Sequence, residues 1–243
     1  MKNAHTFRMK RVLLVDAIET PAEDIAPTVG SVEQWFGRHL QSDRELVTVA
    51  ASSPKLASAA ETSDAVIISG SSRDAFANTP DVLNLLAFAQ RIIATRQPVL
   101  GVCFGHQLLG RALGGEVARN PAGWEVGATK VELTAAGMMS PLFAGFDAEF
   151  TAIQSHRDFV AELPAGAKLL ATNECAPIQA FSFDDRVFGV QFHPEMDGEI
   201  LRHRWADRRK KLRGQVGFDL DQALDSADAD ATRVLHNFSA MLR

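Results

Sequence analysis

Cys103 lies between two glycines, Gly101 and Gly105, in the run Gly101-Val102-Cys103-Phe104-Gly105-His106-Gln107. The spacing is that of a nucleophile elbow, a tight strand-to-helix turn whose central residue is strained and whose neighbours have no room for a Cβ. There the sulfur sits over the N-terminus of the next helix, where partial positive charge and free N–H groups favour thiolate over thiol. Most free cysteines are simply small buried hydrophobes, so the glycines need a second signal. It comes from Phe188-Gly189-Val190-Gln191-Phe192-His193-Pro194-Glu195, an apolar run ending in a histidine and a glutamate two residues apart. In extended chain two such side chains leave the same face, so the carboxylate of Glu195 reaches the imidazole of His193. Pro194 fixes its own φ there and donates no hydrogen bond. Cysteine as nucleophile, histidine as acid–base and glutamate as its orienter make an acyl-transfer triad.

The elements that must position these groups alternate along the first half of the chain. Arg11 to Asp16 reads as a first buried strand, followed by a loop with Pro21 and Pro27. Val32, Trp35, Phe36 and Leu40 mark one helix face, with Ser31 as N-cap. Glu45 to Ala50 and Asp64 to Ser69 read as strands, the latter apolar enough for a parallel sheet covered on both faces. Val82, Leu85, Leu86, Ala89 and Ile93 give the helix that leads into the elbow strand, Pro98-Val99-Leu100. This is the pattern of an α/β, doubly wound, flavodoxin-like and mostly parallel sheet, with its site at the carboxyl ends of the strands. After Gly114-Gly115 come short apolar runs at Lys130–Thr134, Phe150–Ile153, Lys168–Ala171, Ile178–Phe183 and Val187–Phe192. They predict an antiparallel extension of the same sheet, with Asp184-Asp185-Arg186 as a hairpin turn.

The expected organisation is a flexible leader over residues 1–10 and one domain over 11–243, of which 198–243 is a helical extension. Within it, Arg202, Arg204, Arg208, Arg209, Lys210, Lys211 and Arg213 read as a solvated helix anchored by Ile200, Leu201 and Trp205. The acidic residues Asp219, Asp221, Asp225, Asp228 and Asp230 then pair partly with it, and Val234, Leu235, Phe238 and Met241 pack a last helix on the core.

With 243 residues, 46% hydrophobic and 23% charged, the chain has the makeup of a globular protein with a sizeable core. A net charge of −5 argues against nucleic acid or an anionic membrane as partner, because both require a basic surface. Two cysteines, Cys103 and Cys175, are too few for a disulfide framework, and an activated thiol fits a reducing compartment, which predicts a cytoplasmic protein. Near the N-terminus Val12-Leu13-Leu14-Val15 stops at Asp16, too short for a signal sequence or a membrane span.

The two motifs, Gly101 to Gln107 and His193-Pro194-Glu195, resemble the signatures of class I glutamine amidotransferases, whose triad is Cys, His and Glu in this order. The resemblance covers most of residues 11–197. Asp64 to Ser72 is similar to the strand and glycine turn that supply the second oxyanion donor in that family. Gln154-Ser155-His156-Arg157-Asp158 is similar to the substrate-side segment of the amidotransferase domain of GMP synthase. The resemblance implies Cys103, His193 and Glu195 as catalytic residues, with backbone N–H groups of Phe104 and of Ser71 or Ser72 as the oxyanion hole. It implies substrate contacts from Gly70, Gln107, Ser155, His156 and Asp158. Arg157 stands where that segment has glycine, so an extra carboxylate on the substrate is an alternative to free glutamine.

The implied reaction is attack of Cys103 on a glutamine side-chain amide, with His193 protonating the departing ammonia and water then hydrolysing the thioester. It calls for no metal or organic cofactor. Two enzyme readings follow. One is an ammonia donor to a separate synthase chain. The other is a γ-glutamyl peptide hydrolase with water as the acceptor. A non-catalytic regulatory protein on the same scaffold has no need of the three groups together. Cys175 and His106 read as structural, and His5, His39, His203 and His236 have no constellation around them.

Overall fold

The computed structural model describes residues 8–19, 29–212, 216, 218–225, 227, 229 and 231–242. The loop with Pro21 and Pro27, most of the expected leader, and Arg213, Asp228 and Asp230 lie outside them.

Strands β1 (Lys10–Asp16), β2 (Arg44–Ala50), β3 (Ala65–Ile68) and β4 (Val99–Val102) pair in parallel, in the order β2-β1-β3-β4. β11 (Val187–Val190) then joins β4 in parallel. Beyond it the sheet turns antiparallel through β10 (Ala180–Phe183), β9 (Lys168–Thr172), β6 (Glu125–Leu133) and β7 (Glu149–His156), giving nine strands. β11 is thus the seam, parallel to β4 on one side and antiparallel to β10 on the other. The β10–β11 hairpin turns at Asp184 and Asp185, both at positive φ (52° and 51°), the conformation that a tight turn between twisted strands requires.

Alternation along β1 sends Val12 and Leu14 to one face and Leu13 and Val15 to the other, and each face has its own core. On one side pack α1 (Val32–Gly37), α6 (Gly198–Leu212), α7 (Leu220–Asp225) and α8 (Arg233–Ala240), with Trp35, Phe36, Trp205 and Phe238 buried. On the other lie α2 (Leu56–Glu61), α3 (Pro80–Ala94) and α4 (Phe104–Ala112). Ser31 caps α1 in a capping box with Gln34, whose side chain returns to the Ser31 N–H. In α6, Ile200, Leu201 and Trp205 are buried, and Arg209 pairs with Asp221 at 2.5 Å.

Some expectations need correction. β6 begins five residues before Lys130 and β7 runs on to His156, so these are long strands. A two-stranded sheet of β5 (Glu116–Arg119) and β8 (Asp158–Glu162) was not expected, because neither segment alternates over enough residues. α2 was not expected either; its Ala-Ser-Ala-Ala run buries only Leu56 and Ala60. β11 ends at Val190, so His193-Pro194-Glu195 lies in a turn and not on a strand. None of the described helices is long and apolar enough to cross a membrane.

Candidate active site

Cys103 is the residue between β4 and α4, at φ 51° and ψ −101°. A non-glycine side chain is rarely held there, and the surroundings show why this one is. A Cβ on Gly101 would lie 2.4 Å from the carbonyl carbon of Gly105, and one on Gly105 would lie 2.3 Å from the carbonyl oxygen of Ile68. Both glycines are therefore required for the bend to fit against β3. Cys103 is almost fully buried and its N–H donates to the carbonyl of Val190 at 2.9 Å. Phe104 is the first residue of α4, where an N–H has no acceptor within the helix.

The sheet register brings the second motif to this point. Val102 stands opposite Val190, so the chains leaving β4 and β11 emerge side by side. His193 is fixed by its own N–H, which donates to Ile153 on β7 at 2.8 Å. Its Nδ1 meets Oε1 of Glu195 at 2.7 Å, a contact made within the turn. Glu195 is fully buried, and its Oε2 has no hydrogen-bond partner among the described residues. Burial pushes the imidazole pKa of His193 down, but the interactions with Glu195 and with the sulfur of Cys103 outweigh it and raise the value to about 10.

Gly70 makes the approach of His193 to Cys103 possible. A Cβ there would lie 2.9 Å from Cε1 of His193 and 3.7 Å from Cβ of Cys103. The turn it opens is held from both sides. The Ser69 hydroxyl accepts from the Ala17 N–H at 2.9 Å. Arg73 donates to the Ser71 hydroxyl, to the Ala17 carbonyl and to Glu19 and Asp81.

Two cavities meet at Cys103. The larger, about 380 Å³, is lined by Asp74, Gln107, Arg119, Trp124, His156, Arg157 and Asp158. The smaller, about 40 Å³, is lined by Gly70, His193, Met196, Ile18, Arg204 and Trp205. Ser71, Ser72, Ser155 and Arg208 line both.

The substrate-side residues divide by what already holds them. The Gln107 amide donates to the Asp158 carbonyl at 2.7 Å and to Gln191 at 3.1 Å, tying α4 to β8. The Ser155 hydroxyl accepts from the Trp205 indole at 2.9 Å. His156 has both ring nitrogens engaged inside the protein, at 3.1 Å to the Asp158 carbonyl and at 2.9 Å to Glu125. The residue still lines the larger cavity. Glu125, opposite His156 in the register of β6 and β7, also accepts from Thr129 and Asn173. Burial pushes the Glu125 pKa up, but His156 and these donors bring it below the ordinary value. Asp158 accepts from Arg119 at 3.1 Å, and Arg119 also pairs with Asp74 at 2.9 Å. Burial and the neighbouring Asp74 carboxylate hold the Asp158 pKa above its ordinary value despite Arg119.

Several lining residues escaped the sequence reading. Arg204 and Arg208 were expected on a solvated helix face, yet both line the cavities. One turn apart on α6, they are brought to the site by the burial of Trp205 between them. The guanidinium carbon of Arg208 lies 5.7 Å from the Trp124 ring and 6.0 Å from the Trp205 ring. Arg38, the C-cap of α1, touches the back of the site, donating to the Glu195 carbonyl at 3.4 Å and to Asp197 at 3.2 Å. His106 is wholly buried against Phe181, and burial pushes its pKa down to about 3, so it stays neutral. Cys175 is half-buried beside Asn120 and Glu125, its thiol pushed up to about 11 mainly by burial. No group of three or more His, Cys, Asp or Glu among the described residues is arranged to hold a metal ion.

Residues 30–209 match the model of the family described as glutamine amidotransferase class-I. The chain is 38% identical over 137 residues to γ-glutamyl peptidase 4 of Arabidopsis thaliana, covering 56% of this chain and 55% of that protein. It is 44% identical over 108 residues to the glutamine-hydrolysing GMP synthase of Aeropyrum pernix, covering 44% of this chain and 20% of that protein. The match spans 55–57% of the length of three Arabidopsis γ-glutamyl peptidases. A crystal structure of a glutamine amidotransferase from Thermotoga maritima superposes with a TM-score of 0.74 at 21% identity, covering 95% of this chain and 96% of that one.

Proposed function

The chain belongs to the class-I glutamine amidotransferase family, and from that premise we propose that it hydrolyses γ-glutamyl amide bonds through a thioester on Cys103. The observation that carries the reading is the bare Cα of Gly70, which admits His193 to Cys103 while Glu195 holds the imidazole from behind at 2.7 Å. The raised pKa of His193 favours the imidazolium, and an imidazolium beside a sulfur stabilises thiolate.

The thiolate attacks the amide carbon, forming an S–C bond and a tetrahedral oxyanion. The Phe104 N–H and an N–H from Ser71 or Ser72 receive that charge, and losing one such donor costs about 3–4 kcal/mol of transition-state stabilisation. His193 gives its proton to the nitrogen as the C–N bond breaks and the amine leaves. Water, deprotonated by His193, then attacks the thioester, and collapse breaks the S–C bond, releasing glutamate and restoring the thiolate beside the protonated His193.

The γ-glutamyl head carries both an α-ammonium and an α-carboxylate, and the larger cavity has groups for each. Asp74 and Asp158 are the acidic side, and Arg119 and Arg157 the basic side. Gln107 and Ser155 contribute polar atoms at the cavity wall, and His156 positions Asp158. At about 380 Å³ the cavity falls in the range of small-molecule sites, about 300–1,000 Å³.

With water as acceptor the protein is a γ-glutamyl hydrolase in its own right. The second reading, an ammonia donor to a separate synthase chain, is favoured by the 44% identity to a glutamine-hydrolysing GMP synthase. Both readings take residues 11–243 as one amidotransferase-like domain in the cytoplasm, where a nucleophilic thiol stays reduced. The test is glutamate release by the purified chain from L-glutamine and from γ-glutamylglycine, with Cys103→Ala as the blank. Faster release from the dipeptide supports the hydrolase. Release from glutamine alone supports the ammonia donor, and equal release from the Cys103→Ala protein refutes both.

A further inference from the structure

The two cavities at Cys103 divide the substrate at its scissile bond. Whichever group His193 protonates must depart on the side of His193, and His193 lines the smaller cavity and not the larger. The acyl part therefore lies in the larger cavity beside Gln107 and Asp158. The departing amine faces Arg204, Arg208, Met196 and Ile18. At about 40 Å³, that space holds roughly three waters, enough for a carboxylate but not for a bulky side chain.

Building on the thioester reading above, we propose that Arg204 and Arg208 form the leaving-group subsite and select γ-glutamyl compounds whose departing amine bears an α-carboxylate, that is, γ-glutamyl amino acids with small side chains.

Three observations support this. Arg204 and Arg208 are four residues apart on α6 and line the smaller cavity together, so both charges face the departing group. Burial together with the charge of Arg208 pushes the Arg204 pKa down, with Asp16 and Glu195 acting in the opposite sense. Arg208 is held over two indole rings, so its guanidinium meets a ligand without first losing much rotamer freedom. In a γ-glutamyl amino acid the carboxylate is one carbon from the scissile nitrogen, which places it within the small cavity once the nitrogen faces His193. Planar guanidinium groups suit it better than ammonium groups would. Ammonia leaving from glutamine has no carboxylate and gains nothing from either arginine.

The bond changes are those of the thioester step. The S–C bond forms, the C–N bond breaks, the proton of His193 goes to the nitrogen, and the amino acid leaves with its carboxylate unchanged.

The test compares kcat/KM of the full chain for γ-glutamylglycine and γ-glutamylglycinamide, which differ only in that carboxylate, with L-glutamine alongside. The wild type is expected to prefer the acid by about tenfold or more, the value of one hydrogen bond to a charged group. Arg204→Gln and Arg208→Gln should bring the ratio towards one, and Arg208→Lys should restore part of it. Equal rates on acid and amide in the wild type overturn the subsite and leave the thioester reading standing. A ratio unmoved by both glutamine variants also overturns it. Turnover of L-glutamine with neither dipeptide cleaved refutes the subsite, and no turnover of any of the three refutes the thioester reading with it. The wild-type comparison needs no variant, so a misfolded mutant cannot hide the result.

Discussion

Replacing Gly70 with alanine tests the geometry of the site with a single methyl group. Gly70 lies outside the left-handed region, so alanine fits its backbone, and the effect comes from the added carbon. That carbon would lie 2.9 Å from Cε1 of His193, well inside ordinary contact distance, and relief requires a retreat of about 0.5 Å. His193 is not free to retreat, because its N–H is bonded to Ile153 at 2.8 Å and its Nδ1 to Glu195 at 2.7 Å. Either the imidazole tilts away from the sulfur or the Ser71-Ser72 turn moves outward with the oxyanion donors. A misplacement of about 1 Å in such a site costs about a hundredfold, so kcat for glutamate release should fall between tenfold and a hundredfold. The fold should survive, since overpacking of this size costs about 1–3 kcal/mol. In a domain of this size that lowers the thermal midpoint by about 2–4 °C per kcal/mol. The assay is glutamate release at saturating substrate, with the thermal midpoint measured on the same preparation. Wild-type kcat in a folded Gly70→Ala protein would refute the claim that this glycine exists to admit His193.

Further predictions follow from the same geometry. Because Cys103 is at φ 51°, Cys103→Gly should be more stable than Cys103→Ala by about 1 kcal/mol, while both are inactive; differential scanning fluorimetry on the two variants checks it. Glu195→Gln removes the nearest negative charge from His193, so the basic limb of the kcat/KM pH profile, near pH 10 in the wild type, should move to lower pH. The raised His193 pKa also means that its contribution to stability is complete below pH 6.5 and lost as pH rises towards 10; denaturant midpoints at pH 6 and pH 10 should differ less in Glu195→Gln than in the wild type. Glu125→Ala leaves His156 and Asn173 without their buried carboxylate and should cost about 3 kcal/mol in urea unfolding. The Glu125 pKa is lowered, so its contribution is present above its ordinary value of 4.5 and lost as pH falls through the lowered one; the variant should show a correspondingly smaller acid dependence.

Much of the parallel half of the fold was legible because its signals are local. The elbow glycines, the apolar runs of β1, β3 and β4, and the Ser31 cap each act within a few residues. The antiparallel half was read less completely. β6 begins with Glu125-Val126-Gly127, whose glutamate is buried only because His156 stands opposite it, and nothing in its own segment announces that partner. β5 and β8 are a strand pair of four and five residues whose pairing depends on tertiary contact. At the site, the histidine and glutamate two residues apart were legible, but the reason offered for their contact was not correct, since the strand ends three residues before His193. Arg204 and Arg208 were hidden by their company. In a run with seven basic residues within twelve positions, charge alone does not reveal which ones face inward, and the burial of Ile200, Leu201 and Trp205 orients the helix. Arg73 and Arg38 likewise act through bonds to distant backbone, which no spacing encodes.

With Cys103 as the nucleophile, turnover passes through a covalent γ-glutamyl thioester on this residue. The direct measurement is intact-protein mass spectrometry after rapid acid quench of the wild type with γ-glutamylglycine or L-glutamine, followed by peptide mapping. A γ-glutamyl adduct is expected on the peptide carrying Cys103, formed and consumed during turnover and absent from Cys103→Ala. Steady glutamate release from the wild type with no adduct at any quench time, and the same release from Cys103→Ala, would contradict it.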